Sequence, residues 1–216
     1  MKKVAVILSG CGVYDGSEIH EATLALLALS KNEVEYQCFA PNKNQYHVIN
    51  HLTGEVSSET RNVLVESARI ARGNIKPLVE LNVQEFSAIL LPGGFGAAKN
   101  LSSFAYEGEN YSVDESVAKV IKDFHLAHKP IAALCIAPVI IAKVLGGRIT
   151  IGNDNQTVDI ISKTGAQHVN KEFNEVAIDE KNLLVTNPCY MLADNIYKVW
   201  QGAEAAVEAM LGLIKK

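Results

Sequence analysis

The chain has 216 residues, of which 48% are hydrophobic and 20% charged, and its formal net charge is −4. This length and apolar content suit one domain, residues 1–216, with a sizeable core. No long basic run is present, which argues against nucleic acid or an anionic membrane as a partner, and no apolar stretch is long enough to span a bilayer. The four cysteines lack C-x-x-C spacing, which favours free thiols in a reducing cytoplasm over disulfides or a zinc site.

Short apolar runs alternate with segments of helical periodicity along the chain. The predicted strands are 4–8, 34–39, 88–91, 131–134, 149–151, 176–178 and 183–186. The predicted helices are 18–30, 59–72 with Ser58 as cap, 113–127, 137–145, 157–164 and 195–214. A small hairpin is expected within 47–56, and the loops 41–58 and 95–112 are long enough to carry function or an interface. The alternation predicts a mostly parallel sheet with helices on both faces.

Cys135 stands where a predicted strand turns directly into a helix. The apolar run 130–134 precedes it, and the stretch 137–145 follows and is ended by two glycines. This is the nucleophile-elbow pattern, with Cys in the place where hydrolases often carry Ser. A thiol at such a strand tip is expected to be exposed and to face the helix dipole, which lowers its pKa. A buried small hydrophobic residue is the alternative interpretation.

In open α/β sheets, binding sites form beyond the carboxyl ends of the strands. Besides Cys135 and Ile136, the segments 9–12, 92–94 and 187–190 end there. Gly94 allows close backbone approach and offers an amide to an oxyanion. Cys11 and Cys189 lie in the other two segments and are interpreted as small apolar residues beside a possible pocket.

Glu18, at the start of the first predicted helix, has two interpretations. Asp15 and Glu18 have capping-box spacing, which favours a structural cap. If the Glu18 carboxyl instead sits over Cys135 in a dry pocket, its pKa should rise and it could move a proton. The two roles are compatible, and both stay open.

Among the histidines, His20 has the best path to the pocket. Neither metal-ligand spacing nor a dinucleotide-binding glycine loop is present, so no metal or cofactor is expected.

The chain resembles the ThiJ/PfpI superfamily, which has a class I glutamine amidotransferase-like fold. The turn 91–94 and the elbow 132–138 carry that resemblance. Within the superfamily it is similar to the ElbB or ES1-like group, also called sigma cross-reacting protein 27A. That similarity rests on the segments 9–21, 48–55, 59–64, 92–101 and 135–138, and the group-specific part is an insertion around 41–75.

The resemblance implies a flavodoxin-like three-layer sandwich, usually a homodimer, with Cys135 as nucleophile and Glu18 as the neighbouring acid. It also implies an oxyanion site made of the Gly94 and Ile136 amides. Ile136 stands where protease-like members carry His, and alanines replace the glycines flanking the amidotransferase cysteine, which argues against peptidase and glutaminase activity.

The activity that similar proteins suggest is a glutathione-independent glyoxalase. Its substrate would be a small aldehyde, glyoxal or methylglyoxal, and its product the hydroxy acid. The group name adds a link to isoprenoid biosynthesis that no residue explains. The alternative is a non-catalytic thiol sensor or regulatory binding protein in which Cys135 oxidises reversibly.

Overall fold

The computed structural model describes residues 2–214. Strands and helices alternate along most of the chain, as the apolar pattern predicts. The strands are β1 (Lys3–Ile7), β2 (Glu35–Ala40), β3 (Ile75–Pro77), β4 (Ala88–Leu91), β5 (Ile131–Leu134), β6 (Arg148–Ile149), β7 (Gln167–His168), β8 (Ala177–Asp179) and β9 (Leu184–Asn187). The helices are α1 (Ile19–Lys31), α2 (Val63–Ile70), α3 (Phe95–Lys99), α4 (Phe104–Glu107), α5 (Glu115–Leu126), α6 (Pro138–Leu145), α7 (Asn155–Lys163) and α8 (Ile196–Leu213).

Seven strands form the central sheet in the order β3-β2-β1-β4-β5-β9-β8, and β6 pairs with β7 in a separate two-stranded sheet. All pairs in the central sheet are parallel except β8 with β9. Strands β4, β5 and β9 are buried along their whole length, as parallel strands covered by helices on both faces must be. This is the expected flavodoxin-like, class I glutamine amidotransferase-like α/β fold.

The helices pack on the sheet where their apolar stripes require. Helix α8 packs against α1, β5 and β9, whereas α5 packs against α6 and β5. The strand order reverses at β1, which lies between β2 and β4. The crevice beyond the carboxyl ends of β1, β4 and β5 is therefore the place where a doubly wound sheet binds its ligand.

Several predicted boundaries are wrong. The helix expected over 59–72 begins only at Val63, because Asn62 rather than Ser58 caps it and accepts the amides of Leu64 and Val65. The stretch before it is extended, and Gln45 N donates to Arg61 O. The loop 95–112 contains α3 and α4. Strands β3 and β7 were not predicted, because two or three residues are too few to show a periodicity.

Both expected hairpins are confirmed. An antiparallel bridge joins Ile49 to Val56 in the insertion, and β8 pairs antiparallel with β9.

Among residues 2–214, each helix is too short or too polar to cross a membrane.

Candidate active site

Cys135 sits at a strained elbow between β5 and α6. Its φ is 57°, a left-handed conformation that costs a residue with a side chain about 1–3 kcal/mol. Its amide donates to the Asn187 carbonyl at 2.9 Å, which ties the elbow to the end of β9. The residue is only 7% exposed, so the expectation of an exposed thiol is wrong. The strand tip is covered by neighbouring segments, and the thiol is reached through a cavity.

Two backbone amides approach the Cys135 sulfur. The N–H groups of Gly94 and Ile136 both face Sγ and lower the pKa of the thiol, which favours its thiolate form. Gly94 has a φ of +94°, and a Cβ there would lie 2.3 Å from the Glu18 amide nitrogen. Only glycine can therefore bring this amide so close. An oxygen on a carbon bonded to Sγ would be adjacent to both donors, which is the arrangement of an oxyanion site.

The carboxyl group in contact with the thiol belongs to Glu21. Glu21 is fully buried, and its Oε2 and the Cys135 Sγ lie side by side against Gly93, within 2.5 Å and 3.0 Å of where a Cβ at that position would stand. Its Oε2 accepts the Gly93 amide at 3.0 Å, and its Oε1 accepts the Tyr190 amide at 3.1 Å. Burial, reinforced by the negative charge of Glu18, raises the pKa of Glu21 to about 8. At neutral pH this carboxyl is therefore mostly protonated and can donate to the sulfur.

Glu18 has the capping role and lies in the cavity wall. It is the N-cap of α1, and its Oε2 accepts the Glu21 amide at 2.7 Å. Its carboxyl lines the same cavity as Cys135, but the acid that contacts the thiol is Glu21, one helical turn further on. The assignment of the neighbouring acid to Glu18 is corrected accordingly, because the amide of Glu21 holds the Glu18 carboxyl at the helix end.

The pKa of Cys135 is also opposite to the expectation. Burial first, and then the charge of Glu21, raise the pKa of the thiol, while the two amides oppose the rise. Because Cys135 and Glu21 touch, the first proton is lost by the pair rather than by either residue alone. When Cys135 is ionised and Glu21 is protonated, the two side chains do not repel each other. The Glu21 O–H is then a third donor to the thiolate, beside the Gly94 and Ile136 amides.

Gly93 allows this contact. A Cβ at position 93 would lie 2.4 Å from the Cys135 Cβ and 2.5 Å from Glu21 Oε2. Any side chain there would force the thiol and the carboxyl apart. The glycine turn after β4 therefore has two functions: Gly94 supplies an amide, and Gly93 leaves room for the acid–thiol pair.

The other candidate residues occupy different places. Cys189 is fully buried beside the pair, where burial raises its pKa. His20 is exposed and its Nδ1 is 2.7 Å from the Tyr190 hydroxyl, so it reaches the site only through Tyr190. Cys11 is outside the cavity wall, and its charged neighbours are Asp15, Glu66 and Arg69.

A cavity of about 470 Å³ leads to Cys135. Phe95, Ala98 and Phe104 provide apolar wall on one side, and Asp154, Thr157 and Tyr190 add polar groups. None of the described residues in this wall is a histidine. The arrangement is suited to nucleophilic addition to a carbonyl carbon by Cys135, with proton transfer by Glu21.

Comparison with known proteins gives consistent matches. The model of the DJ-1/PfpI family matches residues 2–189. The human glutamine amidotransferase-like class 1 domain-containing protein 3, mitochondrial, is 47% identical, over 99% of this chain and 84% of its own length.

Two solved structures show the same fold. An isoprenoid biosynthesis protein with an amidotransferase-like domain from Ehrlichia chaffeensis has 37% identity and a TM-score of 0.93, with both chains covered completely. Glyoxalase III from Candida albicans shares the fold at 16% identity, with a TM-score of 0.63 over 99% of this chain and 98% of that one.

Proposed function

Because the chain belongs to the DJ-1/PfpI family, whose fold glyoxalase III shares, we propose that it is a glutathione-independent glyoxalase. It would convert an α-oxoaldehyde and water to a 2-hydroxy acid. One observation carries the proposal. Cys135 lies against the buried Glu21, which is mostly protonated at neutral pH, and the Gly94 and Ile136 amides face the same sulfur. A reaction that only moves protons between two adjacent carbons requires a nucleophile, one acid–base group and an oxyanion site.

The reactive form has the thiolate of Cys135 beside the protonated Glu21, a minor form of the pair at neutral pH because burial raises the pKa of the thiol. Sγ bonds to the aldehyde carbon, and the carbonyl electrons move to oxygen, where the Gly94 and Ile136 amides stabilise them. Glu21 gives its proton to this oxygen and becomes a carboxylate. The product is a hemithioacetal on Cys135.

Glu21 then removes the hydrogen on the former aldehyde carbon and returns it to the neighbouring carbon by way of an enediol, while the hydroxyl proton of the hemithioacetal passes to the former ketone oxygen. The former aldehyde carbon is oxidised to a thioester and the ketone carbon is reduced to an alcohol, so no external oxidant or reductant is needed. Water adds to the thioester with Glu21 as base, and the Cys135 thiolate leaves. The net change is RCOCHO plus H₂O to RCH(OH)COOH.

Turnover of glyoxal and methylglyoxal by the purified protein tests the proposal. Saturable formation of glycolate and lactate, lost in Cys135→Ala, is expected. The Cys11→Ala variant is the control, because it removes a thiol that lies outside the cavity wall. Oxidation of Cys135 without turnover of any oxoaldehyde would contradict the proposal and favour the thiol sensor.

The link to isoprenoid biosynthesis is not part of this proposal. Prenyl diphosphates carry several negative charges, and diphosphate sites normally present Lys, Arg or a metal ion. The cavity wall presents Glu18 and Asp154, and none of its described residues is Lys or Arg. The cytoplasmic location expected from the free thiols stays a prediction, since the human relative is named as mitochondrial.

A further inference from the structure

The cavity above Cys135 is large for a two- or three-carbon aldehyde. Its volume of about 470 Å³ would hold about 15 molecules of liquid water at about 30 Å³ each. Glyoxal would fill only a small part of it. We propose that the cavity selects α-oxoaldehydes whose second substituent is bulky, apolar and uncharged, such as an aryl group. This inference rests on the proposed function and names its substrate class.

The walls supply the apolar contact that such a substituent needs. Seven apolar side chains line the cavity. They are Val13, Phe95, Ala98, Phe104, Ala105, Ile136 and Met191. The Phe104 ring is held edge-on against Tyr111, with ring centres 5.1 Å apart, and Ala98 is almost fully buried in α3. A substrate whose flat ring packs on this apolar wall removes the wall from water, whereas a small aldehyde leaves it exposed to solvent, so the wall favours the substrate with the ring.

The charges on the wall exclude anionic substrates. Glu18 and Asp154 line the cavity, and the described wall contains no Lys or Arg to balance them. The Asp154 pKa is lowered by its bonds to Thr157, so it stays negative at neutral pH. The ammonium of Lys99 lies 5.2 Å from the Phe95 ring centre, outside the residues that line the cavity, and donates to the Tyr14 carbonyl. A carboxylate or phosphate on the substrate would therefore be repelled.

Steady-state kinetics with four substrates tests the substrate class. Glyoxal, methylglyoxal, phenylglyoxal and 4-carboxyphenylglyoxal are compared by kcat/KM. Each value is divided by the equilibrium constant with which the same aldehyde forms a hemithioacetal with free N-acetylcysteine, so that differences in intrinsic reactivity toward a thiol are removed. Phenylglyoxal, which gives mandelate, should exceed methylglyoxal by at least about tenfold. The added carboxylate should lower kcat/KM by at least about fivefold. A methylglyoxal value equal to or above that of phenylglyoxal would overturn the inference and leave the glyoxalase proposal standing.

Alkylation of Cys135 tests the cavity without requiring turnover. Rates for N-benzyliodoacetamide, iodoacetamide and iodoacetate are followed at Cys135 by mass spectrometry and divided by the rates for N-acetylcysteine. The expected order is benzyl amide, then amide, then acetate. A relative rate for iodoacetate that matches the amide would overturn the charge argument. If this order holds while no oxoaldehyde is turned over, the proposed function is wrong and only the cavity preference stands.

Two matched pairs of variants locate the selectivity. Asp154→Asn keeps the cap of α7, since Asn also caps. It should lower the ratio of kcat/KM for phenylglyoxal to that for 4-carboxyphenylglyoxal. Asp159→Asn makes the same chemical change within α7, at a residue that does not line the cavity, and should leave that ratio unchanged. Ala105→Phe adds a ring within the wall and should lower the ratio of phenylglyoxal to glyoxal turnover. Val79→Phe, at an 84% exposed position, adds the same ring elsewhere. Unchanged ratios in both wall variants would overturn the inference.

Discussion

Replacement of Glu21 by Gln should remove the pH dependence that this residue gives to stability. The folded protein holds the Glu21 proton up to a pKa of about 8, against an ordinary value of 4.5. Between these values the folded state binds a proton that the unfolded chain has lost, so stability falls as pH rises. At about 1.4 kcal/mol per pH unit, the fall between pH 5 and pH 8 is up to about 4 kcal/mol.

The glutamine itself has a cost that does not depend on pH. Both Glu21 oxygens accept backbone amides, from Gly93 and Tyr190, and a carboxamide has only one oxygen to offer. One buried N–H loses its acceptor, which costs about 1–3 kcal/mol. Wild type should therefore be more stable than Glu21→Gln near pH 5 and less stable near pH 8, with the two curves crossing in between.

Urea unfolding at several pH values measures this difference, with the fluorescence of the single tryptophan, Trp200, as signal. The exposed Glu180→Gln makes the same chemical change outside the site and supplies the baseline. A free-energy difference between wild type and Glu21→Gln that stays constant from pH 5 to pH 8 would refute the reasoning. It would mean that Glu21 is ionised in the folded protein throughout that range.

The same variant tests the catalytic role. Gln keeps the shape of the side chain but cannot carry the proton between carbons, and loss of general acid–base help costs about 10²–10⁴ in rate. Turnover in Glu21→Gln should fall by at least about two decades at the pH where its stability equals that of wild type. Measuring there removes unfolding as an explanation. Undiminished turnover would require another base.

Four further predictions concern the surroundings of the site and the assembly. Glu18→Gln removes the charge that helps to raise the pKa of Glu21, so the pH midpoint of Cys135 alkylation should fall, and turnover should drop less than in Glu21→Gln; an unmoved midpoint would contradict this. Gly93→Ala places a Cβ 2.4 Å from that of Cys135 and should cost about 1–3 kcal/mol in urea unfolding, whereas Gly212→Ala, where a Cβ meets nothing within 4 Å, should not destabilise. Sedimentation velocity at micromolar concentration should give a homodimer, as the family resemblance implies, and a monomer would refute it. Glutamine should release no ammonia, because alanines replace the two glycines that flank the amidotransferase cysteine and Ile136 occupies the place of the protease-like His; ammonia release abolished by Cys135→Ala would overturn this.

Much of the fold could be predicted from the sequence, because the central strands are continuous apolar runs. Val4–Leu8, Ala88–Leu91 and Ile131–Leu134 are buried on both faces, and such runs are visible without any partner. The short strand Ile75–Pro77 could not be found in this way, since only its pairing with β2 defines it. The start of α2 was misplaced because Ser58 and Asn62 are both good caps, and tertiary contacts of the insertion choose between them.

The site was predicted less completely than the fold. Cys135 and the Gly94 amide follow from the elbow and the glycine turn, which are local patterns, whereas the Ile136 amide was implied by the family resemblance. Glu21 was missed, although a signal exists: it falls on the inward stripe of α1 with Ala25 and Ala28, which are fully buried. A carboxyl in an otherwise apolar stripe must be desolvated, and such a group is a functional candidate. The pKa of Cys135 could not be predicted, because burial and the contact with Glu21 depend on segments distant in sequence.

The strain at Cys135 and the burial of Glu21 depend on one another. The left-handed φ of 57° at the elbow aims Sγ across the sheet end towards α1, where the Glu21 carboxyl lies. That carboxyl is anchored by amides from the β4 turn and from Tyr190 after β9, so three segments fix its position. Neither group gains stability from this contact when both are charged, since burial penalises each. Ionisation of both groups is therefore disfavoured and the pair keeps a proton at neutral pH, and that retained proton is what a reaction shifting hydrogen between two carbons requires.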